Sequence, residues 1–245
     1  MRGAPHLHSL IWTSACPELT PGNEETYVRY IEKHVQAHLP ERENEPELYE
    51  LVSMYQKHNH SRSCKKYKNI PCRFNFGQFF TDETVVSKPL SHDVSEEQKT
   101  VILIRRNELL SAVKQRSNEK LDPGKTNYDS SLTAEQLLAS CKVSMQDYKW
   151  ALSISPDDEF ELHLKRPVDS CFNSNYFEAG IKGFRANVDL QPVFNHYKCI
   201  TYVCSYFSKD ETEFSEAIKN AAKEAKANNL NVKEGLKKGF YKGVS

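Results

Sequence analysis

Two histidines separated by one residue, His6 and His8, stand at the head of an apolar segment near one end of the sequence. In an extended strand alternate side chains share a face, so both imidazoles would point the same way, about 6–7 Å apart along the backbone. Pro5 suits the first position of a strand, and the apolar residues that follow favour strand structure. The pattern predicts a strand over 6–12 that offers half of a metal site. Two partly buried histidines without a ligand are the alternative interpretation.

Two tyrosines four residues apart, Tyr202 and Tyr206, lie near the other end of the sequence. This spacing places both on one face of a helix, and they would also share a face of a strand. In the helical interpretation Cys199 and Lys209 lie on the same stripe, opposite an apolar one. Ordinary aromatic packing is the alternative. A site that uses both motifs requires a fold that brings the two ends of the sequence together.

The two motifs together contain the groups needed for phosphodiester transesterification. A metal held by two histidines and a third polar ligand polarises a scissile phosphate, and a tyrosine hydroxyl attacks it. The products are a 5′-phosphotyrosine and a free 3′-hydroxyl. Because an ordinary tyrosine has a pKa of about 10, the metal or a cation such as Lys209 must assist at neutral pH.

A third motif combines two histidines and two cysteines around a basic segment. His58, His60, Cys64 and Cys72 match the ligand set of a tetrahedral zinc site, which predicts a small zinc-knuckle-like insertion. Zinc would stabilise a stretch too polar to fold by burial. A solvated basic loop with free cysteines is the alternative. Cations and aromatic rings in this region also suit phosphate contacts and base stacking on single-stranded DNA, and the candidates are Lys65, Lys66, Lys68, Arg73, Phe74 and Phe76.

The order of these motifs resembles the Helitron rolling-circle transposases, in their replication-initiator (Rep, or HUH endonuclease) domain. Gly77 stands where that family usually has a proline. The resemblance implies an α+β fold: an HUH-endonuclease-like antiparallel sheet with flanking helices, incomplete at its N-terminal side. It covers nearly the whole chain, least strongly between about 80 and 150, and it rests on the segments 2–8, 55–64, 72–76, 186–193 and 202–209.

The resemblance also implies metal ligands. His6 and His8 are the expected pair for a catalytic Mg²⁺ or Mn²⁺. Gln191 and Asp189, in an alternating run expected to be a strand, are candidates for the third ligand. Solvent-facing strand residues without a ligand are the open alternative for these two positions.

The activity implied by the resemblance is nicking and strand transfer of single-stranded DNA, as in rolling-circle replication and DNA transposition. Tyr202 and Tyr206 are the expected nucleophiles, with Lys209 beside them. Two nucleophiles allow a second transfer to resolve the first covalent link. The alternative is a catalytically inactive transposon-derived fragment that binds DNA or another partner.

The expected domain organisation follows from the same resemblance and from the composition of the chain. The polar segment 117–131, with an Asp122-Pro-Gly124 turn, separates residues 1–116 from 132–209 of one Rep-like domain, and 210–245 is expected to be a charged connector. The family fuses its nuclease to a helicase. The sequence contains no Gly-rich Walker loop for ATP, and we expect a truncated form without the helicase part.

The 33 basic and 33 acidic residues of the 245-residue chain cancel, so DNA contacts must come from local basic patches. Seven cysteines, with no signal peptide or membrane-spanning segment apparent in the sequence, favour a reducing intracellular compartment. Nuclear localisation follows from the DNA substrate alone.

Hydrophobic periodicity predicts further elements. Strands are expected over 159–166 and 187–194, and helices over 24–38, 46–56, 95–116, 133–140, 144–152 and 213–228. A capping box is expected at Thr133 and Gln136. The apolar positions of the long helix over 95–116 are Val101, Ile102, Ile104, Leu109, Leu110 and Val113.

Overall fold

The computed structural model describes residues 7–60, 64, 72, 74–195, 197, 199 and 202. The chain divides into two compact units. One is Cys16–Gln191, and the other combines Met1–Ala15 with Pro192–Ser245. In the part that the structure describes, no helix is both long enough and apolar enough to cross a membrane.

In its described residues the larger unit contains six helices and two short strands. A 3₁₀ turn at Val168–Ser170 precedes its last helix. In chain order the elements are α1 Glu24–His34, α2 Pro46–Tyr55, β1 Val85–Ser87, α3 Glu96–Lys120, α4 Ala134–Ser140, α5 Met145–Ser153, β2 Glu161–His163 and α6 Glu178–Phe184.

The first five helices confirm the helices predicted between residues 24 and 153. The starts of α3 and α4 have a local cause. The hydroxyls of Ser95 and Thr133 accept hydrogen bonds from the backbone N–H groups of Gln98 and Gln136, and the side-chain oxygens of these glutamines accept hydrogen bonds from the backbone N–H groups of Ser95 and Thr133. The predicted capping box at Thr133 is therefore confirmed. The helix ends agree less well, since α1 stops at His34 rather than 38 and α3 continues to Lys120 rather than stopping at 116. The helix predicted over 213–228 lies outside the described residues.

The sheet is small. β1 and β2 pair antiparallel, with Val85 opposite His163 and Ser87 opposite Glu161. β2 confirms the middle of the strand predicted over 159–166. The described chain is thus a mixture of helices and a two-stranded antiparallel sheet, which agrees with the α+β class.

Two predicted strands are wrong in the described residues. Residues 7–12 pair with no strand, and the side chains of Leu7, Ile11 and Trp12 are exposed rather than packed. Residues 187–194 are also irregular. There Asn187 attaches the chain through its side-chain amide, which donates to the Tyr55 carbonyl at 2.9 Å. The apolar residues of 7–12 and the alternating pattern of 187–194 therefore did not produce strand pairing.

Among the described residues, two apolar clusters support the larger unit. The main cluster joins α3, α4 and α5 to Phe80 and Phe172, and its buried Tyr148 donates a hydrogen bond to the Phe80 carbonyl at 2.8 Å. The second packs α2 against α6.

Arg166 is buried beside the turn over residues 170–175. Its guanidinium donates to the carbonyl oxygens of Ser170 and Asn173 at 3.2 and 2.6 Å, and to the side chain of Asn175 at 2.7 Å. Burial lowers the pKa of Arg166 to about 10, so the side chain keeps its charge at neutral pH. The buried charge of Arg166 therefore holds the turn over residues 170–175 in place.

Candidate functional site

The four predicted zinc ligands lie together in the larger unit. His58 Nε2 is 3.2 Å from His60 Nδ1, which in turn is 3.3 Å from Cys64 Sγ. Cys72 Sγ is 3.4 Å from His58 Nε2. All four atoms lie within 4.8 Å of one another, and both cysteines are buried. This His/Cys cluster could hold a metal ion.

The histidine side of the cluster is positioned by backbone pairing. After α2 ends, the Gln56 carbonyl accepts the Ser174 N–H at 2.9 Å, and the His58 N–H donates to the Phe172 carbonyl at 2.7 Å. The chain therefore leaves α2 alongside residues 172–174. This pairing carries the histidines towards the edge of the main core.

The cysteine side reaches the same segment from the other direction. The Cys72 carbonyl accepts the Asn75 N–H at 3.0 Å, and the Gln78 N–H donates to the Cys171 carbonyl at 2.8 Å. Asn75 has φ 56°, a left-handed conformation that asparagine tolerates. Lys114 of α3 donates to the Asn75 side chain at 2.6 Å. Two chain segments are thus attached to one support, with the ligands between them.

Aromatic rings enclose the imidazoles. The His58 ring stacks on Phe76 at 3.9 Å between centroids with an interplanar angle of 1°, and Phe74 approaches it edge-on at 6.0 Å. Phe172 lies edge-on to His60 at 5.9 Å. Burial, followed by the neighbouring His60, lowers the pKa of His58. The neutral imidazole, which is the form that binds metals, is therefore favoured.

Two of the residues predicted to bind DNA are described. One face of Phe76 is covered by His58, whereas Phe74 is half exposed. The remaining candidates, Lys65, Lys66, Lys68 and Arg73, lie outside the described residues.

Sequence reasoning missed Asp122. Its Oδ2 lies 3.3 Å from His60 Nε2, and the two side chains are only 2% and 6% exposed. Its Oδ1 accepts the Gly124 N–H at 2.9 Å, which is the turn expected from Asp-Pro-Gly. The sequence indicates the turn, but it contains no pattern that would place this turn beside His60, about sixty positions earlier.

In the smaller unit, residues from both ends of the sequence meet. Tyr202 Oη is 3.2 Å from His8 Nδ1, and the two rings are edge to face with centroids 5.6 Å apart. Tyr197, Cys199 and Tyr202 are helical, in agreement with the helical interpretation of this segment. His6, Tyr206 and Lys209 lie outside the described residues.

The two candidates for a third metal ligand contact each other. The Gln191 side-chain amide donates to the Asp189 carboxylate at 2.8 Å. Both side chains are exposed, and both residues belong to the larger unit.

Comparison with known proteins identifies no relative: no family model, curated protein or solved structure matches this chain.

Proposed function

We propose that this chain is a metal-dependent enzyme that nicks single-stranded DNA and transfers the strand through a 5′-phosphotyrosine. The observation that carries the proposal is the 3.2 Å approach of His8 Nδ1 to Tyr202 Oη. These residues are 194 positions apart in the sequence, and they are the members of the two catalytic motifs that the structure describes. The order of motifs that resembles the Helitron Rep domain supports the same proposal.

The chemistry follows from the two groups in contact. The Tyr202 hydroxyl releases its proton to solvent and its oxygen attacks the phosphorus. The bond from phosphorus to the 3′ oxygen breaks, and that oxygen takes up a proton from solvent and leaves as a 3′-hydroxyl. A divalent cation, when bound at His6 and His8, would polarise the scissile phosphate. If His8 binds it through Nε2, its Nδ1 carries a proton and donates to the tyrosine oxygen. A hydrogen bond donated to the oxygen stabilises the phenolate more than the phenol, which favours the nucleophile.

A covalent capture experiment tests this activity. A pool of random single-stranded oligonucleotides labelled at the 3′ end is incubated with the protein and Mn²⁺, and denatured protein is examined for bound label. We expect an adduct from the wild type that disappears with EDTA, in His8→Ala and in Tyr202→Phe with Tyr206→Phe. Tyr128→Phe, a partly exposed tyrosine of the other unit, is the matched control and should retain it. Absence of any wild-type adduct, or an adduct that persists in the double variant, would contradict the proposal.

The second candidate function is binding of DNA without turnover. The small sheet favours it, since two strands of three residues each are the only sheet in the described part of the chain. The capture experiment separates the two candidates when it is paired with a gel-shift measurement. Retarded oligonucleotide without covalent label supports binding alone.

We also propose that the metal of the His/Cys cluster is a structural Zn²⁺. Tetrahedral zinc, with bonds of ~2.0 Å to nitrogen and ~2.3 Å to sulfur, separates its ligand atoms by about 3.3 Å for N···N and about 3.5 Å for N···S. The separations of 3.2, 3.3 and 3.4 Å lie close to these values. Two histidines and two cysteines also fill all four positions, as in closed structural sites.

Metal analysis tests the zinc assignment. We expect one Zn²⁺ per purified chain, and its removal by a chelator should lower the thermal midpoint by about 10 °C. Cys72→Ser should lose the metal, whereas Cys16→Ser, the same change at an exposed free cysteine, should retain it. Equal metal content in the two variants would exclude this cluster as the site.

A further inference from the structure

The carboxylate of Asp122 occupies an unusual position for an acidic side chain. It follows α3 directly, is almost fully buried and has one oxygen satisfied by the Gly124 N–H. Burial of a carboxylate is costly unless its charge is compensated by hydrogen bonds or an opposite charge. Its second oxygen faces His60 Nε2, so the histidine supplies that compensation.

The two nitrogens of His60 face different groups. Nδ1 lies among the ligand atoms, 3.2 Å from His58 Nε2 and 3.3 Å from Cys64 Sγ. Nε2 points away from the cluster to Asp122 at 3.3 Å. A histidine that binds a metal through Nδ1 carries its proton on Nε2 and can donate it to a carboxylate, which fixes the tautomer and the ring orientation.

We propose that Asp122 is the positioning residue of the metal site: it accepts the Nε2–H of His60 and so holds Nδ1 towards the metal. This inference rests on the proposed zinc at the His/Cys cluster. The contact joins two distant parts of the chain, because Asp122, just after α3, lies about sixty residues beyond His60. A buried negative charge beside His60 offsets part of the positive charge that the imidazole acquires by binding the cation.

Metal affinity in Asp122→Asn tests the role. Competition with a chromophoric chelator should give zinc binding weaker by ~10–100-fold, the usual cost of removing an outer carboxylate partner. Asp129→Asn is the matched control, because Asp129 lies in the same loop and its carboxylate accepts from Ser131 instead. This control should bind zinc as the wild type does.

A second comparison isolates the contact with His60. In His60→Cys the site keeps four ligands but has no imidazole to orient, so adding Asp122→Asn should leave the zinc affinity of this variant unchanged. If Asp122→Asn weakened zinc binding equally in the wild type and in His60→Cys, Asp122 would act only through the turn at Gly124. That result would overturn the inference.

A measurement on the unaltered protein covers the case in which the variants fail to fold. Nitrogen NMR of the zinc-loaded wild type should show His60 protonated at Nε2 and metal-bound at Nδ1, and the opposite pattern would overturn the inference. A wild type that binds no zinc would contradict the zinc proposal itself. Zinc binding with unchanged affinity in Asp122→Asn would contradict only the role of Asp122.

Discussion

At the scale of single residues, Gly77 shows how one backbone conformation shapes the region beside the His/Cys cluster. Its φ is +85°, and a Cβ built there would overlap the side-chain oxygen of Asn118. Proline, which the resembled family usually carries at this position, has φ fixed near −65° and cannot adopt this conformation. Glycine is therefore the residue that this turn requires.

We predict that Gly77→Ala lowers the free energy of unfolding by about 1 kcal/mol, because an L side chain is disfavoured at positive φ and the Asn118 side chain must rotate away. Gly183→Ala is the matched control. Gly183 lies in α6 with no atom within 4 Å of the added Cβ, so alanine there should leave stability unchanged or raise it by about 0.5–1 kcal/mol. Urea unfolding of the wild type and both variants measures the free energies of unfolding. Equal changes in the two variants would contradict the explanation that the positive φ of Gly77 disfavours alanine.

At the scale of elements, α3 forms where its sequence predicts but buries an unexpected face. Val101 and Ile104 are 66% and 53% exposed, whereas Arg106 is only 7% exposed. The Arg106 guanidinium donates to the Ile154 carbonyl at 2.7 Å and to Glu161 at 3.2 Å. Helical periodicity thus identified the helix, but the groups that satisfy a buried arginine belong to residues after α5 and on β2, which periodicity does not reveal.

At the scale of the whole molecule, we expect stability to depend on pH through one buried side-chain nitrogen, that of His163 on β2. His163 Nε2 is buried and has no hydrogen-bond partner within the described residues, and Phe79 lies edge-on to its ring at 5.7 Å. Burial, followed by the charges of Arg106 and Arg166, lowers the pKa of His163 from 6.5 to about 4. At a pH between these two pKa values, His163 binds a proton in the unfolded chain but not in the folded chain.

We therefore predict that the free energy of unfolding decreases as the pH falls from 6.5 to 4, by up to ~1.4 kcal/mol per pH unit from this residue. His163→Gln, which cannot take up a proton in this range, should have a correspondingly smaller slope. His92→Gln, the same change at an exposed histidine, should keep the wild-type slope. Denaturant titrations at several pH values give these slopes, and identical slopes in the two variants would reject the assignment to His163.

The sequence by itself determined the properties that depend on neighbouring residues. It identified the members of the His/Cys cluster, the positions of five helices and the capping box at Thr133. These features follow from side-chain chemistry and from hydrogen bonds spanning three or four positions, so the local sequence contains their causes.

The tertiary structure alone decided which distant groups meet. It brought Asp122 to His60 and Tyr202 to His8, and it left residues 7–12 and 187–194 without strand pairing. Strand pairing and buried contacts depend on segments far apart in the chain, and the free energy of each contact depends on what else is buried there. For that physical reason the four residues of the cluster were predictable, whereas the carboxylate that contacts His60 was not.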